Sequence, residues 1–349
     1  MSEPTAKKPS LVLGALKYVI GLVLLVAVVW MNWNGKPDGT PGLVDLFDRT
    51  PDWSMLGLVS ICFVGVISSQ YVRWFVLVRA LGLNFTLRNA IRLGMVGTFY
   101  NLFLPGAIGG DIVKAIFIAR DQPTRRAAAV STVIADRLLG LFGLLVFGGF
   151  VSGALWLAGN ERIASNPKLQ TIVIACAAAS TCGALGYLAL GLISKDRSDR
   201  IAAKLATWPK GTTLAELWTT GWTYRQQPLA IIMGIGLSAV GHLLMMLAFH
   251  FSVQIFPPDD RELLGTFTEH CVIGPIGYIV QAVIPLPAGI GASEFTFGGL
   301  YELIRPGGKV VGLTGRLSTR IVELLVGAAC YIVYLTARKE LPKDEPAAA

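Results

Sequence analysis

The sequence predicts an all-α polytopic membrane protein of about six full transmembrane helices and two re-entrant helical hairpins in an inverted repeat. Three observations carry that prediction. The 349 residues are 53% hydrophobic and 15% charged, with a mean hydropathy of +0.60, and several apolar runs are long enough to cross a bilayer. Lysine and arginine concentrate in alternate connecting segments, as they do when those segments stay on one side of a membrane. One broken motif occurs twice: residues 101–111 read NLFLPGAIGGD and residues 284–294 read IPLPAGIGASE.

The elements follow in order. Residues 1–10 form a polar cytoplasmic tail with Lys7 and Lys8. Residues 11–33 are the first span; Lys17 snorkels near its start, and Trp30 and Trp33 mark the far interface. No small-residue cleavage site follows, so this is an uncleaved span rather than a signal peptide. A Gly/Pro/Asp loop leads to the second span, 53–78, with Arg73 near its exit and Arg79, Arg88 and Arg92 beyond it. Residues 89–104 enter the membrane and stop at Pro105. Residues 111–119 then supply roughly 14 Å of helix, half a bilayer, before the basic Arg120, Arg125 and Arg126. That pattern is a hairpin entering and leaving on one side.

Residues 127–159 form a long span holding Asp136 and Arg137, and 171–194 form another. The polar segment 195–227, with Trp208, Trp218 and Trp222, reads as one interfacial amphipathic helix. A span at 228–256 and the loop Asp259, Asp260, Arg261 and Glu262 precede a second hairpin, which enters at 263–284 and leaves at 295–304. Residues 311–337 are the last span, ahead of a cytoplasmic tail at 339–349. With the N-terminus inside, 17 of the 30 Lys and Arg residues fall in inside segments and seven in outside loops. Treating either hairpin as a full span would reverse every later segment and put either the basic residues of 120–126 or those of 338–343 on the wrong side. The resulting organisation is a transmembrane domain at 11–338, with a first repeat at about 53–159 and a second, of opposite orientation, at about 228–337.

The two breaks carry the chemistry. Pro105 removes a backbone donor, and Gly106, Gly109 and Gly110 loosen the helix around it. Non-helical backbone at membrane depth is tolerated where protein buries it or a watery cavity solvates it. Asp111 stands as N-cap of the next apolar run. In the second half, Pro287, Gly289, Gly291 and Glu294 repeat the order. Arg137 lies 26 residues after Asp111, and Arg320 lies 26 after Glu294. By helix rise both arginines reach roughly 14–15 Å into their spans. A charge there costs at least ~2.5–3.5 kcal/mol unless it is paired or faces a cavity. Two compatible arrangements follow: ion pairs locking each hairpin to its span, or a cavity whose arginines and half-helix N-termini take an anionic group such as phosphate. Lys114 and Glu323, one turn from Asp111 and Arg320, are further candidates. The Asn101 amide is placed to repair the break at Pro105.

Several function classes are excluded. The net charge of +8 belongs to loops, not to a nucleic-acid surface. The five cysteines lack a CxxC pair and read as small buried residues; the three histidines lack HExxH spacing and read as inter-helix hydrogen-bonding groups. No metal, cofactor or catalytic residue is predicted, because the carboxylates lie too deep to act as a surface general base.

The runs NLFLPGAIGGDIVKA, ADRLLG and LPAGIGASE resemble the lysylphosphatidylglycerol synthase transmembrane-region family, over about residues 12–338. The resemblance implies a flippase-like protein of the bacterial inner (plasma) membrane, with re-entrant helices, moving a polar or charged lipid between leaflets. Some relatives carry a soluble aminoacyl-transfer domain; with the chain ending at Ala349, none is expected here. Where the family commonly has Glu-Arg, this chain has Asp136-Arg137, and Ala292-Ser293-Glu294 replaces part of the second motif. The predicted function is translocation of a lipid with an anionic or phosphate-bearing headgroup. The candidate substrate-binding positions are Asn101, Pro105, Gly109, Gly110, Asp111, Lys114, Asp136 and Arg137 in the first half. In the second they are Pro287, Gly289, Gly291, Glu294, Arg320 and Glu323. The alternatives are an integral-membrane lipid or glycosyl transferase, and a non-catalytic partner of a separate lipid-modifying synthase that docks through 195–227.

Overall fold

In apolar surroundings each backbone N–H and C=O must find its partner within the chain, which makes helix the economical conformation. The computed structural model describes residues 11–37, 39–103, 109–208, 211–284 and 286–339, and among these residues there is no strand. The main helices are α1 (Leu11–Met31), α2 (Trp53–Ala80), α3 (Leu87–Phe103), α4 (Gly109–Asp121), α5 (Arg126–Leu157), α6 (Pro167–Gly191), α7 (Lys195–Ala206), α8 (Gly211–Tyr224), α9 (Pro228–Ser252), α10 (Phe267–Val283), α11 (Ala292–Ile304) and α12 (Lys309–Lys339). Five of them, α2, α5, α6, α9 and α12, are long and apolar enough to cross a membrane. The chain is a multi-pass membrane protein.

Helix starts follow local chemistry. Asp52 caps α2, accepting the N–H groups of Ser54 and Met55. Asn166 caps α6 ahead of Pro167. Thr266 and Glu269 form a reciprocal capping box on α10.

Two antiparallel helical hairpins sit among the long helices. In the first, α3 and α4 touch at backbone distance: a Cβ on Gly110 would lie 1.9 Å from the Gly97 carbonyl oxygen. In the second, α10 and α11 pair through Tyr278 and Phe297, with ring centroids 5.1 Å apart, and through His270 and Tyr301 at 3.1 Å. The feet of the two hairpins lie in different company. Gln122, after α4, donates to the Asn84 carbonyl before α3 at 2.6 Å, and Arg125 donates to Leu81 O nearby at 3.0 Å. Arg305, after α11, donates to Glu269 at the start of α10 at 2.9 Å. Around that second foot gather the loops at the opposite ends of the long helices, with Asn166 donating to Leu303 O at 3.3 Å. Arg49 binds Pro257 O at 3.0 Å, and Asp52 N–H donates to Ile255 O at 2.8 Å.

Between α10 and α11 the backbone turns through a short 3-10 segment, Pro287–Gly289. Ala288, Gly289 and Gly291 there have φ of 47°, 65° and 82°, so the break at Pro287 is a left-handed reversal. It packs on α3 and α1. A Cβ on Gly291 would lie 2.7 Å from Gly21 O, so the close approach of α1 depends on that glycine. Pro105, with residues 104–108, and Pro285 lie outside the described residues.

Three expectations need correction. Residues 195–227 form two helices, α7 and α8, joined by a hydrogen bond from Trp218 Nε1 to Ser198 Oγ at 3.0 Å; the sequence puts Pro209 between them, which a helix interior disfavours. Asp111 is the third residue of α4 rather than its N-cap, because the helix already starts at Gly109 and the Asn101 side chain accepts the Gly110 N–H at 2.9 Å. Cys182 is exposed, since α6 buries a narrow face of Leu169, Val173, Cys176 and Ser180.

Candidate functional site

Each hairpin presents an acid to the span that follows it. Asp111 is the third residue of α4 and Glu294 the third of α11; Arg137 is the twelfth residue of α5 and Arg320 the twelfth of α12. Both acid–arginine pairs implied by the 26-residue spacing form: Arg137 with Asp111, and Arg320 with Glu294 at 2.9 Å. The surroundings then diverge.

Around the first pair the charges are loosely held. Arg73 of α2 donates to Asp136 at 2.7 Å and to Ser238 Oγ at 2.9 Å. Lys114 Nζ stands 3.9 Å from Asp111 Oδ1 and 3.9 Å from Asp136 Oδ2, beyond hydrogen-bond reach of either. It lies 4.4 Å from the centroid of the Trp74 ring. Its stem passes over Gly97, where a Cβ would come within 2.6 Å of Lys114 Cδ. Arg137 gives one nitrogen to Asp111 and keeps its side chain 33% exposed.

Around the second pair the network closes. Arg316, wholly buried, donates to Glu323 at 2.8 Å, to Gln281 at 3.1 Å and to Thr319 at 2.9 Å. Arg320 bridges Glu294 and Glu323, at 2.9 and 2.8 Å, and also reaches Ser293 Oγ at 2.9 Å. The Gly291 N–H, 2.7 Å away, supplies another donor to Glu294. Two arginines thus balance two glutamates, and the Arg316 guanidinium also rests 5.6 Å from the Phe297 centroid.

A cavity of about 420 Å³ lies where the hairpins meet. Its walls include Asn101, Asp111, Lys114, Asp136 and Arg137 from the predicted set, together with Glu323 and the turn residue Ala288. The structure brings those six predicted residues to one space. Gly110 is buried beside them, holding α4 against α3. Glu294 and Arg320 are buried behind Glu323 and are absent from the lining. Pro287, Gly289 and Gly291 shape the reversal, with Gly289 pressed on Gln281; Gly109 is buried at the start of α4.

Sequence reasoning passed over Arg73, Arg316, Gln70, Gln281, Tyr278 and His242 as site residues. Arg316 had a signal: with Arg320 and Glu323 it is spaced i, i+4, i+7 on one helix face. Arg73 had only its charge within an apolar span, because its partner Asp136 is 63 residues away. The inter-helix role expected of the histidines is present. His242 Nε2 lies 3.0 Å from Gly140 O, and His250 and His270 meet through their Nδ1 atoms at 2.9 Å.

The sequence model of the family described as "Lysylphosphatidylglycerol synthase TM region" matches residues 11–329. Two curated relatives are similar over part of the chain. The UPF0104 membrane protein MJ1595 of Methanocaldococcus jannaschii is 28% identical over 119 residues, covering 34% of this chain and 35% of its own length. The UPF0104 membrane protein PH1989 of Pyrococcus horikoshii is 30% identical over 131 residues, 37% of each. The chain thus spans about a third of the length of the curated relatives it matches. No solved structure matches it.

Proposed function

The chain belongs to the lysylphosphatidylglycerol synthase transmembrane-region family, and from that premise we propose that it translocates a lipid with an anionic, phosphate-bearing headgroup across the inner (plasma) membrane, without covalent chemistry. One observation carries the reading. At the meeting of the hairpins, a cavity large enough for a headgroup is lined by Arg137 and Lys114, two cations whose hydrogen-bonding capacity the protein leaves largely unused. A guanidinium with a free edge and an ammonium beside it suit the oxygens of a phosphate.

In this reading the two hairpins are re-entrant and related by an inverted repeat, of about 53–159 and about 228–337, with both termini cytoplasmic. The grouping of the hairpin feet with opposite sets of loops supports that arrangement, as do the matched positions of acid and arginine. The broken halves then meet at the midplane, as in transporters built from inverted repeats. The cavity is too small to enclose acyl chains as well, so the tails stay in the bilayer.

The test is reconstitution in liposomes with headgroup-labelled lipids. Arg137→Met combined with Asp111→Asn keeps the local charge balance while removing the guanidinium. Such a protein should fold but move anionic phospholipid slowly. Full retention of both stability and lipid movement would reduce Arg137 to a lock for Asp111 and defeat the headgroup-binding role.

A further inference from the structure

We propose that Lys114 is an exchangeable counter-ion that lets Arg137 leave Asp111 for a headgroup, and that the charge of its cluster selects a headgroup bearing one negative charge. The inference rests on the translocation reading above. Three features of Lys114 lead to it. Its ammonium is equidistant from two carboxylates and hydrogen-bonded to neither. It faces the cavity. Its stem is held by packing, over the bare Cα of Gly97 and beside the Trp74 ring, rather than by a polar anchor. A lysine so placed can swing by about an ångström toward either acid at little cost, since lysine is a flexible point charge.

The charge count gives this freedom a consequence. Arg73, Lys114 and Arg137 carry three formal positive charges against two on Asp111 and Asp136, all five joined by contacts of 4 Å or less. Arg73 is committed to Asp136 and Ser238. When a phosphate takes Arg137, Asp111, a half-buried acid at the cavity wall, would be left with no partner within hydrogen-bond reach, a costly state. Lys114 removes that cost by closing on Asp111. The cluster then holds one phosphodiester charge with every group paired. A phosphate monoester, with a second negative charge, leaves one charge uncompensated in the same space. The neighbouring network of Arg316, Arg320, Glu294 and Glu323 is balanced and offers no further cation.

The experiment measures movement of three lipid probes in liposomes at pH 8: a singly charged phosphodiester lipid, a phosphate-monoester lipid and a glycolipid without phosphate. The proteins are wild type, Lys114→Met, Lys114→Arg, Asp111→Asn and the double variant Lys114→Met/Asp111→Asn, with thermal unfolding recorded for each. Wild type should prefer the diester over the monoester by about tenfold, the ratio expected when one buried charge goes unpaired. Lys114→Met should slow the diester by about the same factor, and Lys114→Arg should keep most of it. Asp111→Asn, which raises the formal charge of the cluster by one, should speed the monoester. The double variant restores the charge and should recover the diester. The Asp111→Asn result carries the test even if Lys114→Met fails to fold. Diester movement that depends on Arg137 but is indifferent to Lys114→Met, or equal movement of both phosphate lipids by wild type, overturns the counter-ion role and leaves the translocation reading standing. Movement of neither phosphate lipid by wild type overturns both.

Discussion

The two acid–arginine pairs occupy matching positions and have opposite characters. Glu294 and Arg320 are buried within a closed set of four charges in which nearly every donor and acceptor is used. Asp111 and Arg137 stand at a cavity wall, with Lys114 uncommitted and one positive charge in excess. What differs is the neighbour one turn away. In the second half Glu323 and Arg316 complete the square; in the first half the residues at those spacings from Arg137 are Gly140 and the buried Val133, which bring no charge. Two acid–arginine pairs at matching positions can thus differ, one closed into a full network and the other left with unused donors. Burial and completeness of pairing, rather than the motif, decide which.

The sharpest way to break the comparison is to open the closed network. Arg316→Met fills similar volume among Phe297 and Tyr278 but strips Glu323 of one of its two arginines. Removing one partner of a buried pair destabilises by ~3–5 kcal/mol. The expected result is a large fall in unfolding temperature in detergent, partly recovered by adding Glu323→Gln. A loss below ~1 kcal/mol would place Arg316 among ordinary surface pairs and end the lock assignment.

A smaller effect is expected at the first hairpin itself. Gly110→Ala would put a methyl 1.9 Å from the Gly97 carbonyl oxygen, so α3 and α4 must separate, at ~1–3 kcal/mol for an overpacked contact. The same shift moves Asp111 and Lys114, both on α4, away from Asn101 and Gly97 on α3. Lipid movement should therefore fall further than stability does. Equal losses, measured as scrambling rate against unfolding temperature, would mean that the hairpin seam is structural only.

Arg137→Lys comes next in stability cost. Its side chain is a third exposed and makes one direct ion pair, so the loss should stay under ~1 kcal/mol. The bidentate fork that suits phosphate is lost while the charge remains. Lipid scrambling should slow by about tenfold or more, since a charge-assisted hydrogen bond is worth ~1.5–3 kcal/mol. Unchanged scrambling would shift the headgroup contact to Lys114 alone.

Much of this architecture was legible in the sequence because apolar length and residue spacing are one-dimensional signals. The long helices, the interruption at Pro287 and the two 26-residue pairs all announce themselves by spacing. The asymmetry between the halves did not. Arg73 meets Asp136, and Gln281 meets Arg316, through three-dimensional packing with no periodic trace in the chain. Nor does a sequence tell a completed square of charges from an open one. The motif at Glu294 departs more from the expected pattern than the one at Asp111, yet it is the better satisfied of the two. The split of 195–227 into two helices was written at Pro209 and Gly211, and a purely amphipathic reading passed over it.

The smallest effect is expected at the outer surface, and it completes the ranking by exposure. Arg49 donates to both oxygens of Asp259, at 2.8 and 2.5 Å, a better geometry than Lys114 enjoys with either acid. Yet the Asp259 side chain is 92% exposed, so water competes for every donor and salt screens the attraction. The hydrogen bond from Arg49, with its charge, holds the Asp259 carboxyl below the usual carboxylate range. The folded state therefore binds this proton less readily than the unfolded chain does. Whatever stability the pair contributes is fully present above the unfolded pKa and is lost as pH falls through the lower, folded one. Between pH 7 and pH 5 nothing should change at this pair. Arg49→Ala should leave unfolding temperature at pH 7 and lipid movement within error of wild type. Its effect, if measurable at all, should shrink on acidification below the carboxylate range. Geometry alone would rank this pair beside Arg320 and Glu294; exposure ranks it last. A fall of several degrees in Arg49→Ala at pH 7 would show that pairing geometry outweighs burial in this protein, and the contrast between the two halves would then need another cause.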